Sequence, residues 1–242
     1  MEQYKRDFET FLQHTDEKEV LRQKLLQIMA EHQVESLLDL GAGNGDLAIP
    51  LSQAVANYVA VEPRPGFAER LIQADVSTIA SEYPCEVPGQ FDLVLICHVL
   101  SRKRELWEPF VTAAWEKVKP GGNLLIVSYR GQKDDWTDLM DALSLHQLDK
   151  SRSSYEEMLT HLKELGQTEV EIVTTRVITD ETATMIQALS FVAGNGLPEP
   201  TSESLEKQSL IKDILEKKYR PASKYEFPFQ HFFITVKKSA QS

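Results

Sequence analysis

Four short and almost uninterrupted apolar segments recur along the first 130 residues of the chain, and amphipathic segments separate them. The apolar segments are residues 36–40, 58–62, 91–97 and 123–129. Strands without polar alternation are typical of a parallel sheet that is covered on both faces, because neither face of such a strand meets water. Apolar strands that alternate with helices therefore predict an α/β fold with a mostly parallel sheet.

Spacings of three and four between apolar residues predict the helices, and alternation of apolar and polar residues predicts two late strands. The predicted helices are 2–14, 16–32, 46–56, 66–73, 105–118, 136–145, 154–165, 181–192 and 202–219. The further predicted strands are 76–81, which is weakly marked, 170–179 and 229–237. We interpret residues 120–122 as a sharp turn, because Pro120 is followed by two glycines.

A chain of 242 residues is long enough for one large domain. We predict a single domain over 1–242, in which residues 1–33 form an N-terminal helical cap and residues 34–180 form the core. Residues 181–226 are predicted to be a helical lid insertion, and residues 227–242 the last strand and tail.

Bulk composition restricts the partners that this chain is expected to have. The formal net charge is −11, which disfavours a nucleic acid as partner because its phosphates are also negative. Two cysteines are too few for a disulfide framework and lack metal-ligand spacing, so we expect free thiols in a reducing cytosol and no metal site. No apolar run has the length of a membrane helix, which predicts a cytoplasmic protein without a membrane partner.

The first strand leads into a turn in which Gly41, Gly43 and Gly45 alternate with other residues. Ligands of open α/β sheets bind beyond the carboxyl ends of the strands, where such a turn lies. Glu62 ends the second strand, and an acidic residue there commonly accepts hydrogen bonds from ribose hydroxyls. The pattern therefore predicts a cofactor that carries a nucleoside.

Two kinds of cofactor compete for this turn, a dinucleotide and S-adenosylmethionine. The dinucleotide fingerprint is G-x-G-x-x-G, whereas this chain has G-x-G-x-G followed by Asp46. A carboxylate at that point repels a pyrophosphate but tolerates a cation, and Asp39 adds a second carboxylate. Local charge therefore favours S-adenosylmethionine, which carries an ammonium and a sulfonium and has no phosphate.

The ordered set DLGAGNG, VAVEP, FDLVLICHVL and VKPGGNLLIVSY resembles the motifs of class I S-adenosylmethionine-dependent methyltransferases over about residues 36–130. The resemblance implies a doubly wound, Rossmann-like sheet of seven strands, the last two of which form an antiparallel pair. It also implies cofactor contacts from the glycine turn and from residues after the later strands. These are Asp39, Gly41, Ala42, Gly43, Asn44 and Gly45 toward the methionine end, Glu62 at the ribose, Cys97 near the cofactor, and Ser81 or Glu82 at the adenine amino group.

Residues 4–17 are similar to the start of histamine N-methyltransferases. This second resemblance implies that Tyr4, Phe8 and Glu17 line an amine pocket, since aromatic faces attract cations and a carboxylate pairs with a protonated amine. That family has a glutamine where this chain has His98, and an asparagine near the position of Phe229 or Gln230. The resemblance therefore implies a related pocket, with His98 and Phe229 in it, for an acceptor other than histamine.

His98 follows the fourth strand and lies beside the expected methyl donor. A histidine there orients a nucleophile or takes its proton, so His98 is the predicted catalytic residue. We therefore expect a methyltransferase for a small molecule, acting on an amine nitrogen as a monomer or homodimer. A protein or nucleic-acid methyltransferase and a non-catalytic S-adenosylmethionine-binding protein are the alternatives that the sequence leaves open.

Overall fold

The structure is a computed structural model that describes residues 2–100, 104–129, 135, 139, 155–192 and 202–240. Side chains are described for these residues except 2–5, 190–191 and 202–208. The helices are α1 (Glu2–His14), α2 (Glu17–Glu31), α3 (Ala48–Ser52), α4 (Pro65–Gln73), α5 (Arg104–Glu116), α6 (Tyr155–Leu165), α7 (Thr182–Val192) and α8 (Ser202–Lys218). The strands are β1 (Ser36–Leu40), β2 (Asn57–Val61), β3 (Thr78–Ile79), β4 (Phe91–Cys97), β5 (Val118–Tyr129), β6 (Gln167–Thr179) and β7 (Tyr225–Lys237).

The seven strands form one sheet in the order β3-β2-β1-β4-β5-β7-β6. Strands β1 to β5 pair in parallel with their neighbours, whereas β5 pairs with β7 in antiparallel register. The strand order reverses between β1 and β4, and a doubly wound sheet binds its ligand at such a switch point. The predicted seven-stranded, mostly parallel α/β sheet is confirmed.

Alternating residues of the parallel strands enter two separate hydrophobic clusters, one for each face of the sheet. Leu37 of β1 belongs to the cluster that includes buried residues of α2, whereas Leu38 belongs to the cluster that includes Trp107 of α5. Because side chains of a strand alternate between faces, both faces of β1 are covered, as the uninterrupted apolar pattern predicts.

Several predicted boundaries differ from the structure. The helix predicted at 46–56 is only Ala48–Ser52, because Pro50 has no N–H for a helical bond and Asn57 already begins β2. The weakly marked strand 76–81 is reduced to β3, and the helix predicted at 105–118 ends at Glu116. The helix predicted at 136–145 lies outside the described residues except for Leu139.

The predicted turn at residues 120–122 lies inside β5 as an irregularity of the strand. Phe91 pairs with Val118 but Leu93 pairs with Asn123, so β5 contains extra residues between two regular stretches. Gly121 has a φ of +80°, which a residue without a Cβ adopts readily. The N–H of Gly121 donates to the Lys238 carbonyl at 3.1 Å, so the bulged segment keeps a backbone partner.

The chain divides into two compact units. The first unit contains the described residues within 1–17, 130–150 and 174–230, and the second contains those within 18–129, 151–173 and 231–242. The second unit holds the parallel strands and both large hydrophobic clusters. In the first unit, Phe11 of α1 and Phe229 of β7 are buried and meet edge to face. No helix in the described part of the chain is long and apolar enough to cross a membrane.

Candidate functional site

The glycine turn after β1 has a backbone conformation that favours glycine. Gly41, Gly43 and Gly45 have φ angles of +84°, +64° and +91°, a region that L-residues rarely adopt. A Cβ on Gly41 would lie 2.4 Å from Cγ2 of Val99, whereas a Cβ on Gly43 would meet no atom within 4 Å. Gly41 therefore serves the packing of the chain itself, while Gly43 leaves open space beside the turn.

Glu62, which directly follows β2, holds the glycine turn in place. Its Oε2 accepts the N–H of Gly43 at 2.8 Å, and its Oε1 accepts the N–H of Arg64 at 2.9 Å. The side chain is buried, and a carboxylate oxygen can accept two hydrogen bonds, so Glu62 retains capacity for further donors. The structure thus brings together two residues that the sequence assigns to the cofactor.

Asp39 is a buried carboxylate on β1 with an aromatic hydroxyl as partner. Tyr58 of β2 donates its hydroxyl to Asp39 Oδ2 at 2.6 Å. Burial raises the pKa of Asp39 to about 6, because a charged carboxylate loses its hydration there. The Tyr58 hydrogen bond opposes this rise, and the negative charge of Glu62 adds to it.

The remaining residues of the turn are fixed by local contacts. The amides of Gly41 and Ala42 both donate to the Val61 carbonyl, at 2.7 and 3.3 Å. Asn44 donates from Nδ2 to Asp46 Oδ2 at 2.7 Å, and Arg70 of α4 pairs with Asp46 Oδ1 at 3.2 Å. The carboxylate of Asp46 is therefore already engaged with a cation of the chain.

Ser81 and Cys97 lie just beyond or at the carboxyl ends of β3 and β4. Ser81 donates its N–H to the Ile79 carbonyl at 3.0 Å, and its hydroxyl donates to the Glu82 carbonyl at 3.2 Å. Cys97 is the last residue of β4, is half-buried and pairs with Val127. With Asp39 and Glu62, these predicted cofactor residues lie at or near the carboxyl ends of four adjacent strands, β3, β2, β1 and β4.

His98 lies in a cluster of three rings within the second unit. Its backbone has a φ of +56°, and its N–H donates to the Val127 carbonyl at 2.9 Å. The His98 ring lies 4.3 Å from the Tyr129 ring, measured between centroids. His98 Nε2 lies 3.2 Å from Nδ1 of His231, whose side chain is fully buried.

The other predicted substrate residues belong to the first unit. Tyr4 lies in α1, but its side chain is outside the described part, and Phe8 lies half-buried one helical turn later. Glu17 is the buried first residue of α2, and its N–H donates to Thr15 Oγ1 at 3.1 Å. Phe229 packs against Phe227 with ring centroids 5.1 Å apart, so it also belongs to an aromatic core.

Two residues that complete these arrangements were not predicted from the sequence. Tyr58 is two residues before Ala60, the β2 partner of Asp39, and therefore lies on the same face of the sheet as Asp39. His231 lies opposite Tyr129 in the β5–β7 register. A strand-pairing register would have indicated both residues, but sequence periodicity alone does not specify which residues face each other.

Comparison with known proteins identifies the family. A profile described as "Methyltransferase domain" matches residues 12–166, which is more than half of the chain. No curated protein matches the sequence.

Solved structures with the same fold cover most of this chain. N-methyltransferase NodS from Bradyrhizobium japonicum WM9 is 12% identical, with a TM-score of 0.54 over 93% of this chain and 98% of that chain. The YcgJ protein from Bacillus subtilis is 15% identical, with a TM-score of 0.55 over 86% of this chain and 93% of that chain.

A third solved structure is a SAM-dependent methyltransferase from Thiobacillus denitrificans in complex with S-adenosyl-L-homocysteine. It is 16% identical, with a TM-score of 0.50 over 89% of this chain and 91% of that chain. At these identities the three likenesses concern the fold. The family assignment itself follows from the profile match, which spans the glycine turn and the parallel strands. The chain belongs to the methyltransferase domain family.

Proposed function

We propose that this protein transfers a methyl group from S-adenosylmethionine to a small molecule and that the acceptor atom is an amine nitrogen. The observation that carries the proposal is the pair of buried carboxylates, Asp39 and Glu62, beside the open face of Gly43. The family assignment supports the reaction class, and the chemistry of these residues supports the donor.

The residues at the glycine turn fit S-adenosylmethionine. Glu62 retains acceptor capacity for a ribose diol, and Asp39 is suited to an ammonium group once it is ionised. A pyrophosphate fits poorly, because α3 has only five residues and three carboxylates, Asp39, Asp46 and Glu62, lie on or beside the turn.

When bound, S-adenosylmethionine supplies a methyl group whose carbon–sulfur bond breaks as the new nitrogen–carbon bond forms, with the sulfur keeping the electron pair. The protein's own part is to hold the two reactants in line, which is worth up to roughly 7–11 kcal/mol in well-oriented systems. A protonated amine must first lose a proton, and His98 is the residue that we assign to accept it.

An amine acceptor agrees with the charge of the protein and with its N-terminal segment. The net charge of −11 attracts cations, and the resemblance of residues 4–17 assigns aromatic and acidic roles to Tyr4, Phe8 and Glu17. The second resemblance also assigns Phe229 to the acceptor pocket, and its side chain is 2% exposed and packs in an aromatic cluster.

Titration calorimetry with S-adenosylmethionine tests the donor. Asp39→Ala and Glu62→Ala should each abolish micromolar binding, whereas Glu69→Ala, at an exposed position of α4, serves as the matched control and should bind normally. Absence of binding by the unaltered protein would overturn the proposal.

A panel of amines, scored by release of S-adenosylhomocysteine, tests the acceptor. We expect Phe8→Ala and Glu17→Gln to raise KM for the methylated amine without raising that for S-adenosylmethionine. Methyl transfer to a protein or nucleic-acid fraction, but to no small amine, would overturn the assigned acceptor. Cofactor binding without any transfer would show that the protein is a sensor or subunit.

A further inference from the structure

We propose that buried His231 is a positioning residue, which sets the tautomer and ring orientation of His98 so that His98 Nδ1 is the basic nitrogen. This inference rests on the proposed function, because the proton in question is the one that an amine acceptor releases. His231 lies outside the residues that sequence motifs assign to the site.

The fold brings the two imidazoles together from different strands. His231 lies in β7 opposite Tyr129 of β5, and His98 follows the end of β4, the neighbour of β5 on its other side. The ring planes of the two histidines meet at 70°, and Nε2 of His98 faces Nδ1 of His231 at 3.2 Å. This separation is that of a hydrogen bond between two ring nitrogens.

The rest of the environment restricts the motion of His98. Its backbone bond to Val127 and its left-handed φ fix the position of its Cα, and the ring of Tyr129 lies along its side chain at 4.3 Å. His231 is 0% exposed, so its own ring is held by packing. A rigid partner of this kind selects one orientation of the His98 ring.

Counting protons shows which arrangement lets His98 act as a base. A neutral imidazole carries one N–H, so one ring of the pair donates and the other accepts. If His231 Nδ1 were the donor, the single proton of neutral His98 would occupy Nδ1, and no basic nitrogen would remain. If His98 Nε2 donates instead, His98 Nδ1 keeps a lone pair, and the proton of His231 resides on its Nε2.

The same pair also stabilises the protonated state of His98. When the amine N–H bond breaks, its electron pair stays on the amine nitrogen and the proton goes to His98 Nδ1. The resulting imidazolium still donates from Nε2 to the neutral His231 Nδ1, and a hydrogen bond from a charged donor is stronger than one between neutral groups. His231 thus favours proton acceptance by His98.

Tautomers are measured directly in the unaltered full-length protein by long-range ¹H–¹⁵N correlation after labelling with ¹⁵N-histidine. Spectra of His98→Gln and His231→Asn assign the two rings. We expect neutral His98 to carry its proton on Nε2 and His231 to have an unprotonated Nδ1. A proton on Nδ1 of neutral His98 would overturn the inference, and this readout does not depend on turnover.

Two variants of His231 then separate positioning from packing. His231→Phe keeps a ring but removes the acceptor, whereas Asn places an acceptor oxygen at the position of Nδ1. We expect Phe to lower kcat on the order of 10- to 100-fold, the effect of losing a hydrogen bond to a charged group, with unchanged binding of S-adenosylmethionine. We expect Asn to restore most of that loss.

Three outcomes of these experiments have separate meanings. Equal losses of kcat in His231→Phe and His231→Asn would overturn the inference while leaving the proposed function intact. Loss of activity on chelation, with recovery on adding zinc, would also overturn it, because an ion would then replace the proton between the two nitrogens. If the unaltered protein methylates no amine, the proposed function fails, and the tautomer spectrum alone decides the inference about the pair.

Discussion

The hydroxyl of Tyr58 donates a 2.6 Å hydrogen bond to Oδ2 of Asp39 across two neighbouring parallel strands. Both side chains are buried, so this bond replaces hydration that the carboxylate loses on folding. It opposes the effect of burial on the pKa of Asp39 and so favours the charged form that a cationic ligand requires.

Tyr58→Phe should lower the free energy of unfolding at pH 7.5 by about 1–3 kcal/mol, because it leaves a buried carboxylate with one partner fewer. Urea denaturation measures this change. Tyr83→Phe is the matched control, since the buried Tyr83 hydroxyl has no hydrogen-bond partner among the described residues, and its removal should cost little. Similar losses in both variants would contradict the assigned role of Tyr58.

Asp39→Asn should stabilise the protein near neutral pH but not in acid. The folded pKa of about 6 exceeds the usual value, so the folded state binds more protons and the unaltered protein loses stability as pH rises from about 4 to 7. Roughly two pKa units correspond to about 3 kcal/mol. The stability difference between variant and unaltered protein should grow by about that amount over this range, as measured by denaturation at several pH values. A difference that does not change with pH would contradict the prediction.

Affinity for S-adenosylmethionine should rise about tenfold between pH 5 and 7, because the ionised fraction of Asp39 rises about tenfold across a pKa near 6. Only the ionised form pairs with the ammonium group of the ligand. Calorimetry at successive pH values measures this dependence, and the slope should disappear in Asp39→Asn. The same slope in that variant would assign the titration to another group.

Glu62→Gln should weaken binding of S-adenosylmethionine more than it weakens folding. The amide keeps one acceptor oxygen, but its NH₂ group would face either the Gly43 or the Arg64 N–H, both of which now donate to Glu62. Loss of one such bond costs about 1–3 kcal/mol and releases one side of the glycine turn. Calorimetry and thermal denaturation are compared with Glu69→Gln, which should behave as the unaltered protein does.

Gly43→Ala and Gly41→Ala should have different effects, the first mainly on ligand binding and the second mainly on stability. Both place a Cβ at positive φ, which costs about 1–2 kcal/mol, but only the Gly41 variant also forces a Cβ to 2.4 Å from Val99. Gly43→Ala should fold with a modest fall in Tm and bind S-adenosylmethionine weakly, because its methyl group enters the open space beside the turn. Gly41→Ala should show a larger fall in Tm than Gly43→Ala, because the side chain of Val99 must also shift. Normal ligand binding by folded Gly43→Ala would contradict the assignment of that space to the cofactor.

The sequence was sufficient for features that depend on one segment at a time. The apolar segment Phe91–Cys97 is a strand with its predicted bounds, and the predicted turn with Gly41, Gly43 and Gly45 directly follows β1. Such features follow from local sterics and from which faces of a segment are buried, and both can be inferred from the order of residues.

Segments whose conformation depends on a neighbour were predicted less well. Residues 120–122 look like a turn in isolation, but β5 continues through them because Gly121 and Gly122 form backbone bonds with Lys238 of the distant C-terminal segment. Similarly, β3 is limited to the two residues that pair with β2.

Pairing between strands decided the chemistry that the sequence did not specify. Asp39 and His98 were identified from their positions after or within strands, but Tyr58 and His231 became their partners only through the registers of β1 with β2 and of β5 with β7. A register is set by packing of whole strands and not by any one residue. The sequence alone therefore determined the fold class and the cofactor turn, whereas the tertiary structure determined the pKa of Asp39 and the imidazole partner of His98.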